Sequence, residues 1–260
     1  MPESARAVDI ARVQLVAPIY RTDGNSGAFV GLASDGQTYF VKPQDTPQGI
    51  RSLAAEVVVH AIGRLLAAPV CQNALVQIPA GLNWQYIPSQ GLYLHEGLGH
   101  GSLEITHSVV ADEWSTYSGR DHNRERQALI MAIWELCMGG DAQWLHAMND
   151  DFSVWSFDHG FWLGGEGDWS AESLRSTGID TWGWRRDGID PESASRHALI
   201  DAADRVIALS RAEILAAVGL VPVEWAIPRE DLDVLADVLY LRTEGVAERL
   251  KQAAAGTNYN

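Results

Sequence analysis

Apolar positions repeat with one period in the first third of the chain and with another in the rest. ARVQLVAPIY, residues 11–20, reads as a strand. AFVGLASDGQTYFVK, residues 28–42, reads as a hairpin, two apolar runs meeting at the turn pair Asp35-Gly36. A small polar loop, RTDGNSG, precedes it. The spacing then becomes helical. In GIRSLAAEVVVHAIGRLLAAPV, Leu53, Val57, Ala61 and Leu65 form one row, and Ala54, Val58, Ile62 and Leu66 the adjoining one. That predicts an amphipathic helix, stopped before Pro69. VCQNALVQIP, residues 70–79, is a further strand.

The remainder is mostly helical. RERQALIMAIWELCM carries a stripe at Leu129, Ile130, Ile133, Trp134 and Cys137, and Gly139-Gly140 ends it. SFDHGFWL resembles a short strand and its exit, and residues 164–191, rich in Gly, Asp and Trp, read as irregular. Residues 192–222 and 229–254 are helical, the latter with Leu232, Leu235, Val238, Leu239 and Arg242 on one face. Strands with one helix, then helices, predict an α+β protein of two lobes, residues 1–90 and 91–260.

Composition narrows the classes. Of 260 residues, 47% are hydrophobic and 20% charged, enough for a large core and against wholesale disorder. No apolar run approaches the roughly 18 residues of a membrane span. The N-terminus, MPESARAVDIARV, has no basic start followed by an apolar stretch. Cys71 and Cys137 make no disulfide framework, so a cytoplasmic, reducing setting is expected. A formal net charge of −15 repels phosphate backbones and argues against nucleic acid as a partner. Most of the ten tryptophans fall between Trp114 and Trp184, where they fill a core or line a groove.

Four residues invite chemistry. Lys42 ends the run TYFVK, where it reaches phosphates as a point charge or merely snorkels at a strand end. Glu56, fourteen residues on and flanked by apolar residues, wants a cation, or shares a solvated face with His60 and Arg64. Asp141 follows a helix end and Asp158 follows VWSF. Phosphoryl transfer needs a base that orients a hydroxyl and a carboxylate that holds a metal ion, and this pair suits both needs. Loop aspartates also simply cap turns, and paired carboxylates also serve glycoside hydrolysis. DGNSG offers backbone N–H groups to phosphate oxygens or is a plain turn. His95, His100 and His107 lack the spacing of a zinc site, and no G-x-S-x-G elbow occurs.

Lys42, Glu56, Asp141 and FDHG, in this order, resemble the HipA-like kinases, bacterial relatives of the serine/threonine kinase toxin HipA and, more distantly, of the lipid kinases. DGQTYFVKP with SLAAEVVVHAIGRLLAAPV is similar to that family's strand-lysine-helix-glutamate segment. GLGHGSLEI, GGDAQW…SFDHGFWL and LVPVEWAI…DVLYLRTEGVAERL follow it over nearly the whole chain. The resemblance implies a bilobed protein-kinase-like fold, with a small β-rich N-lobe carrying one helix and a mainly helical C-lobe. It implies ATP and Mg²⁺ in the cleft, and a protein or small-molecule hydroxyl as acceptor. It further implies Lys42 on the phosphates, Glu56 holding Lys42, and Asp141 as catalytic base. Gly24, Asn25, Ser26, Gly27 and Phe40 would then surround the nucleotide, and Asp158 would bind metal.

Two positions depart from the family pattern. Ala142 stands where an arginine or similar residue is usual, and His146 where a metal-binding asparagine is usual. His146, Asn149 or Gln143 is then the candidate for that second place. A slow kinase, an altered chemistry and a silent pseudokinase all fit. The chain is shorter than the HipA toxins, so no toxin biology is carried over.

Overall fold

Alternation along a strand sends successive side chains to opposite faces. In β3 (Thr38–Lys42), Tyr39 and Val41 face a closed hydrophobic interior, while Phe40 and Lys42 face out of it. That interior belongs to a five-stranded barrel formed by β1 (Ala11–Arg21), β2 (Phe29–Ala33), β3, β4 (Asn73–Ile78) and β7 (Gly97–Leu103), in the order β1-β2-β3-β7-β4. Val13, Leu15, Phe29, Val76 and Ile78 fill it. β1 closes the barrel by itself. Its first residues pair parallel with β4, and the rest pairs antiparallel with β2, with register shifts after Leu15 and after Pro18 that let one strand bend round. A two-stranded ribbon, β5 (Gln85–Ile87) and β6 (Leu92–Tyr93), lies between β4 and β7 in sequence. The computed structural model describes residues 8–22, 26–111, 113–177, 179 and 188–256.

Helix α1 (Ile50–Leu66) was expected to be amphipathic, yet it is buried nearly all round, with 14 of its 17 residues inside, Glu56 and His60 included. The helix is wedged between the barrel strands and the helices of the second half, so even its polar positions meet protein. It ends as anticipated, with Ala67 in the left-handed region (φ 56°) before Pro69.

The strand-rich part also runs past residue 90, since β7 supplies the barrel's fifth strand. The second half adds an antiparallel sheet of β8 (Ser108–Ala111), β9 (Trp144–Ala147) and β10 (Ser153–Ser156). The strand expected in SFDHGFWL therefore lies just upstream, and Asp158 sits at its exit. The stretch read as irregular contains α3 (Ala171–Thr177). Residues 192–222 break into α4 (Arg196–Ile207) and α5 (Arg211–Val218), because Ser210 and Glu213 form a capping box that starts a new helix. Among the described residues no helix is long and apolar enough to cross a membrane.

A few contacts from α6 and Trp134 place the loop before Asp141. Helix α2 (Asn123–Leu136) ends with carbonyls that have no intrahelical partner. The fully buried Arg242, on α6 (Arg229–Ala255), donates to Glu135 O at 2.6 Å and to Leu136 O at 3.2 Å. Arg249 of the same helix pairs with the Glu135 carboxylate at 2.9 Å. The chain then turns over Trp134, and Gly139 passes so close that an added Cβ would lie 2.3 Å from the indole. Gly139→Ala is therefore expected to lose about 1–3 kcal/mol through overpacking. Urea unfolding monitored by circular dichroism checks this, and an unchanged midpoint would contradict the packing.

Candidate functional site

Lys42 projects from the end of β3 toward α1, and only 5% of its surface is exposed. A buried ammonium needs partners, and it has two. Its Nζ lies 2.7 Å from Glu56 Oε1 and 2.5 Å from Asp158 Oδ1. Burial opposes the charge on Lys42, but Glu56 and then Asp158 outweigh it and hold the lysine above its ordinary pKa. Burial likewise opposes the charge on Glu56, and Lys42 outweighs it, so that carboxyl is held well below the usual range.

Asp158 reaches Lys42 because the end of β10 is laced to the segment leaving α1. Ser156 N donates to Pro69 O at 2.8 Å, and Cys71 N donates to Ser156 O at 3.1 Å. The chain then turns at Asp158 (φ 54°). The next backbone amide, of His159, donates to Glu56 Oε2 at 2.9 Å. The His159 ring lies 2.9 Å from Ser156 Oγ through Nε2 and edge-on to Trp162. A Cβ on Gly160 would stand 3.3 Å from Lys42 Nζ, a tight approach that would press on the ion pair. Asp158, His159 and Gly160 thus wrap one ion pair.

Lys42 and Asp158 line a cavity of about 460 Å³. Ala28, Phe40, Leu103, Leu145 and Phe157 give it apolar walls, and Ser26, His100, Ser102 and Gln143 line it as well. Of the residues expected at the site, Lys42, Glu56, Asp158, Phe40 and Ser26 all reach this cavity. Gly27 (φ 68°) packs instead against Ile87. Gly24 and Asn25 lie outside the described residues.

Asp141 is exposed, in the left-handed region at φ 55°. It meets the cavity through Gln143, whose Nε2 donates to Asp141 Oδ2 at 2.9 Å. The two metal-ligand candidates of the β9 segment are not brought to Asp158. His146 alternates with Leu145 on β9, so it turns away from the cavity. Its ring packs against Tyr117, and its Nδ1 lies 3.2 Å from Phe152 O. Asn149 is exposed and lines a different hollow with Arg64, Asp150 and Trp155. Gln143, two residues before Leu145 and so on the same face, is the residue beside β9 that lines the cavity. Among the described residues no cluster of three His, Cys, Asp or Glu is placed to hold a metal ion.

His159, His100 and Ser102 are the functional candidates that sequence reasoning passed over. The signal for His159 was its place between Asp158 and a glycine. For His100 it was a polar residue among glycines, inside a strand.

No protein-family model and no curated protein matches the chain. Among solved structures it is similar to the proinflammatory kinase CtkA of Helicobacter pylori, with a TM-score of 0.59 and 12% identity over 97% of this chain and 99% of that one. It is similar also to the Golgi casein kinase, with a TM-score of 0.50 and 12% identity over 95% of this chain and 74% of that one. At such identities the likeness shows the fold alone: the chain has an α+β, kinase-like fold.

Two predictions follow from the buried charges. Glu56→Ala leaves Lys42 short of a partner and is expected to cost about 3 kcal/mol in urea unfolding, with Lys42→Met/Glu56→Leu recovering most of it. A double variant no more stable than the single one would contradict the pairing. Stability should also fall with acid. Burial pushes His60 down to about 3 and His100 and His159 down to about 4, from an ordinary 6.5. Below 6.5 the unfolded chain takes up protons that the folded chain refuses until about 4, so stability is lost as pH falls through that window. Melting temperatures recorded from pH 8 to pH 4 should hold level at first and then drop, and a level profile throughout would refute this.

Proposed function

We propose that the protein is an ATP- and Mg²⁺-dependent phosphotransferase of the HipA-like kind, moving the γ-phosphate to a hydroxyl of a protein or small molecule. The carrying observation is Lys42, held between Glu56 and Asp158 in the lining of a largely apolar cavity. Such a cavity suits a flat base with a polyanionic tail. Mg²⁺ is commonly held by only one or two protein carboxylates besides substrate oxygens and water. Asp158, partly exposed and lining the cavity, meets that need, and Gln143 lines the same cavity. When bound, the metal nucleotide supplies the phosphoryl group and an electrophilic phosphorus.

The chain's own residues do the rest. Lys42 offers a fixed positive charge to developing negative charge on phosphate oxygens, and Glu56 keeps that ammonium aimed. Asp158 would hold the metal. Asp141, exposed and steadied by Gln143, would orient an acceptor hydroxyl and take its proton. Its exposure favours an acceptor arriving from solvent at the mouth of the cavity. The partners in this reading are a nucleotide and an acceptor, with no nucleic acid.

One observation favours a second reading. His146 and Asn149 do not face Asp158, so a second metal place on β9 rests on Gln143 alone. A catalytically silent, nucleotide-binding pseudokinase would tolerate that.

Incubation with labelled ATP and Mg²⁺ separates the readings. Transfer to the protein itself or to an added acceptor is expected. Lys42→Met, Asp158→Asn and Asp141→Asn should each lower it by roughly 100-fold or more. A rise in melting temperature with ATP and no labelled product from any acceptor would favour the silent reading. Absence of both effects at millimolar ATP would remove the nucleotide reading altogether.

A further inference from the structure

The chain between Lys42 and α1 is folded tightly on itself. Thr46 N donates to Pro43 O at 3.1 Å, and Gly49 N donates to Thr46 O at 2.9 Å, two turns in a row across residues 43–49. Thr46 stands in the middle of this connector and is buried. Its hydroxyl serves two sides. Oγ1 accepts a long hydrogen bond from Gln48 N at 3.4 Å and donates a shorter one to Ser26 O at 2.8 Å. A threonine in a turn commonly bonds its own neighbourhood. Here the shorter bond leaves the connector and crosses to a segment twenty residues earlier.

That segment borders the cavity. Ser26 and Ala28 line it, as does Lys42. Phe29 pairs with Val41 in the β2–β3 ladder, so one residue further along each chain Ala28 comes beside Lys42. A second brace bears on the same place. Tyr86, in β5, donates its hydroxyl to Asp45 O at 3.0 Å, and a Cβ on Gly27 would lie 2.9 Å from its ring. The connector and the β5 tyrosine thus hold residues 26–28 near the lysine.

We propose that Thr46 is a positioning residue for nucleotide binding: its hydroxyl fixes residues 26–28 in the cavity lining, beside the lysine that takes the phosphates. The inference rests on the nucleotide reading above and deepens it, because it names the side chain that holds the end of the polar loop in place. Thr46 acts through Ser26, which lines the cavity. Ordering a free segment costs conformational entropy. With the latch made, that cost is met on folding. Without it, part of the cost falls on binding, and affinity drops.

Thr46→Val isolates the hydroxyl, since it nearly keeps the shape and leaves the Ser26 carbonyl without its donor. Calorimetry measures ATP affinity, with Mg²⁺, for the wild type, Thr46→Val, Thr46→Ser and Val246→Ala. The last truncates a buried core residue of α6 outside the cavity lining and controls for lost stability. Thr46→Val should bind ATP about tenfold more weakly, and Thr46→Ala takes its place if the valine variant does not fold. Thr46→Ser, which keeps the hydroxyl, should bind close to the wild type, and so should Val246→Ala. Wild-type affinity in Thr46→Val overturns the proposal and leaves the nucleotide reading intact. Equal loss in Thr46→Ser means the hydroxyl is not the operative group, and equal loss in Val246→Ala means affinity merely follows stability; either overturns it. Failure of the wild type to bind ATP at all sinks both readings.

Discussion

A lysine ammonium taken out of water must be matched by negative charge, and much of this structure follows from how Lys42 is matched. One carboxylate comes from α1 and the other from the exit of β10. Glu56 comes from the helix that follows Lys42's own strand and Asp158 from far along the chain, so the pair of contacts ties a barrel strand to a helix and to a sheet of the second half. The two partners are unequal. Glu56 is buried, and its other oxygen is occupied by the His159 amide, which suits a fixed support. Asp158 keeps about a third of its side-chain surface exposed, on the cavity side, which suits a group that must also answer to a ligand.

The surroundings are built to keep that arrangement from relaxing. The tail of α1 and the end of β10 share backbone hydrogen bonds through Pro69, Cys71 and Ser156. Arg242 closes the end of α2, the helix that leads into the turn carrying Asp141. Buried cations of this kind add little net stability when satisfied, but removing one partner is costly. They are better understood as fixing geometry than as gluing the fold. Against this buried network, Asp141 faces outward and accepts a hydrogen bond from Gln143.

Much of this was legible in the chain. Period-two runs marked β1, β2, β3 and β4, and 3.6-residue rows marked α1, α2 and α6. Lys42, Glu56 and Asp158 could be singled out because each is a charge embedded in, or just leaving, an apolar run. Other features were harder to see. The amphipathic reading of α1 failed because periodicity reports which face is more apolar, not how many neighbours the helix will have. Of the second sheet only a strand near β10 is legible in the sequence, because each of its strands has four residues, too few for a period to declare itself. Spacing from Asp141 points to His146, but in a strand a single step of register reverses the face, and Asn149, already out of register, lies past the end of β9 and lines another hollow.

Local chemistry therefore determined the elements, their ends and the identity of the ion-pairing residues, since propensity, capping and alternation act over a few positions. Only the tertiary structure decided that β1 closes a barrel, that Lys42 has two acidic partners, and that Gln143 rather than His146 looks into the cavity. Those outcomes depend on which distant segments share hydrogen bonds and which side of a strand they leave facing inward. Such choices are made by packing between elements, and no window of the sequence contains both partners.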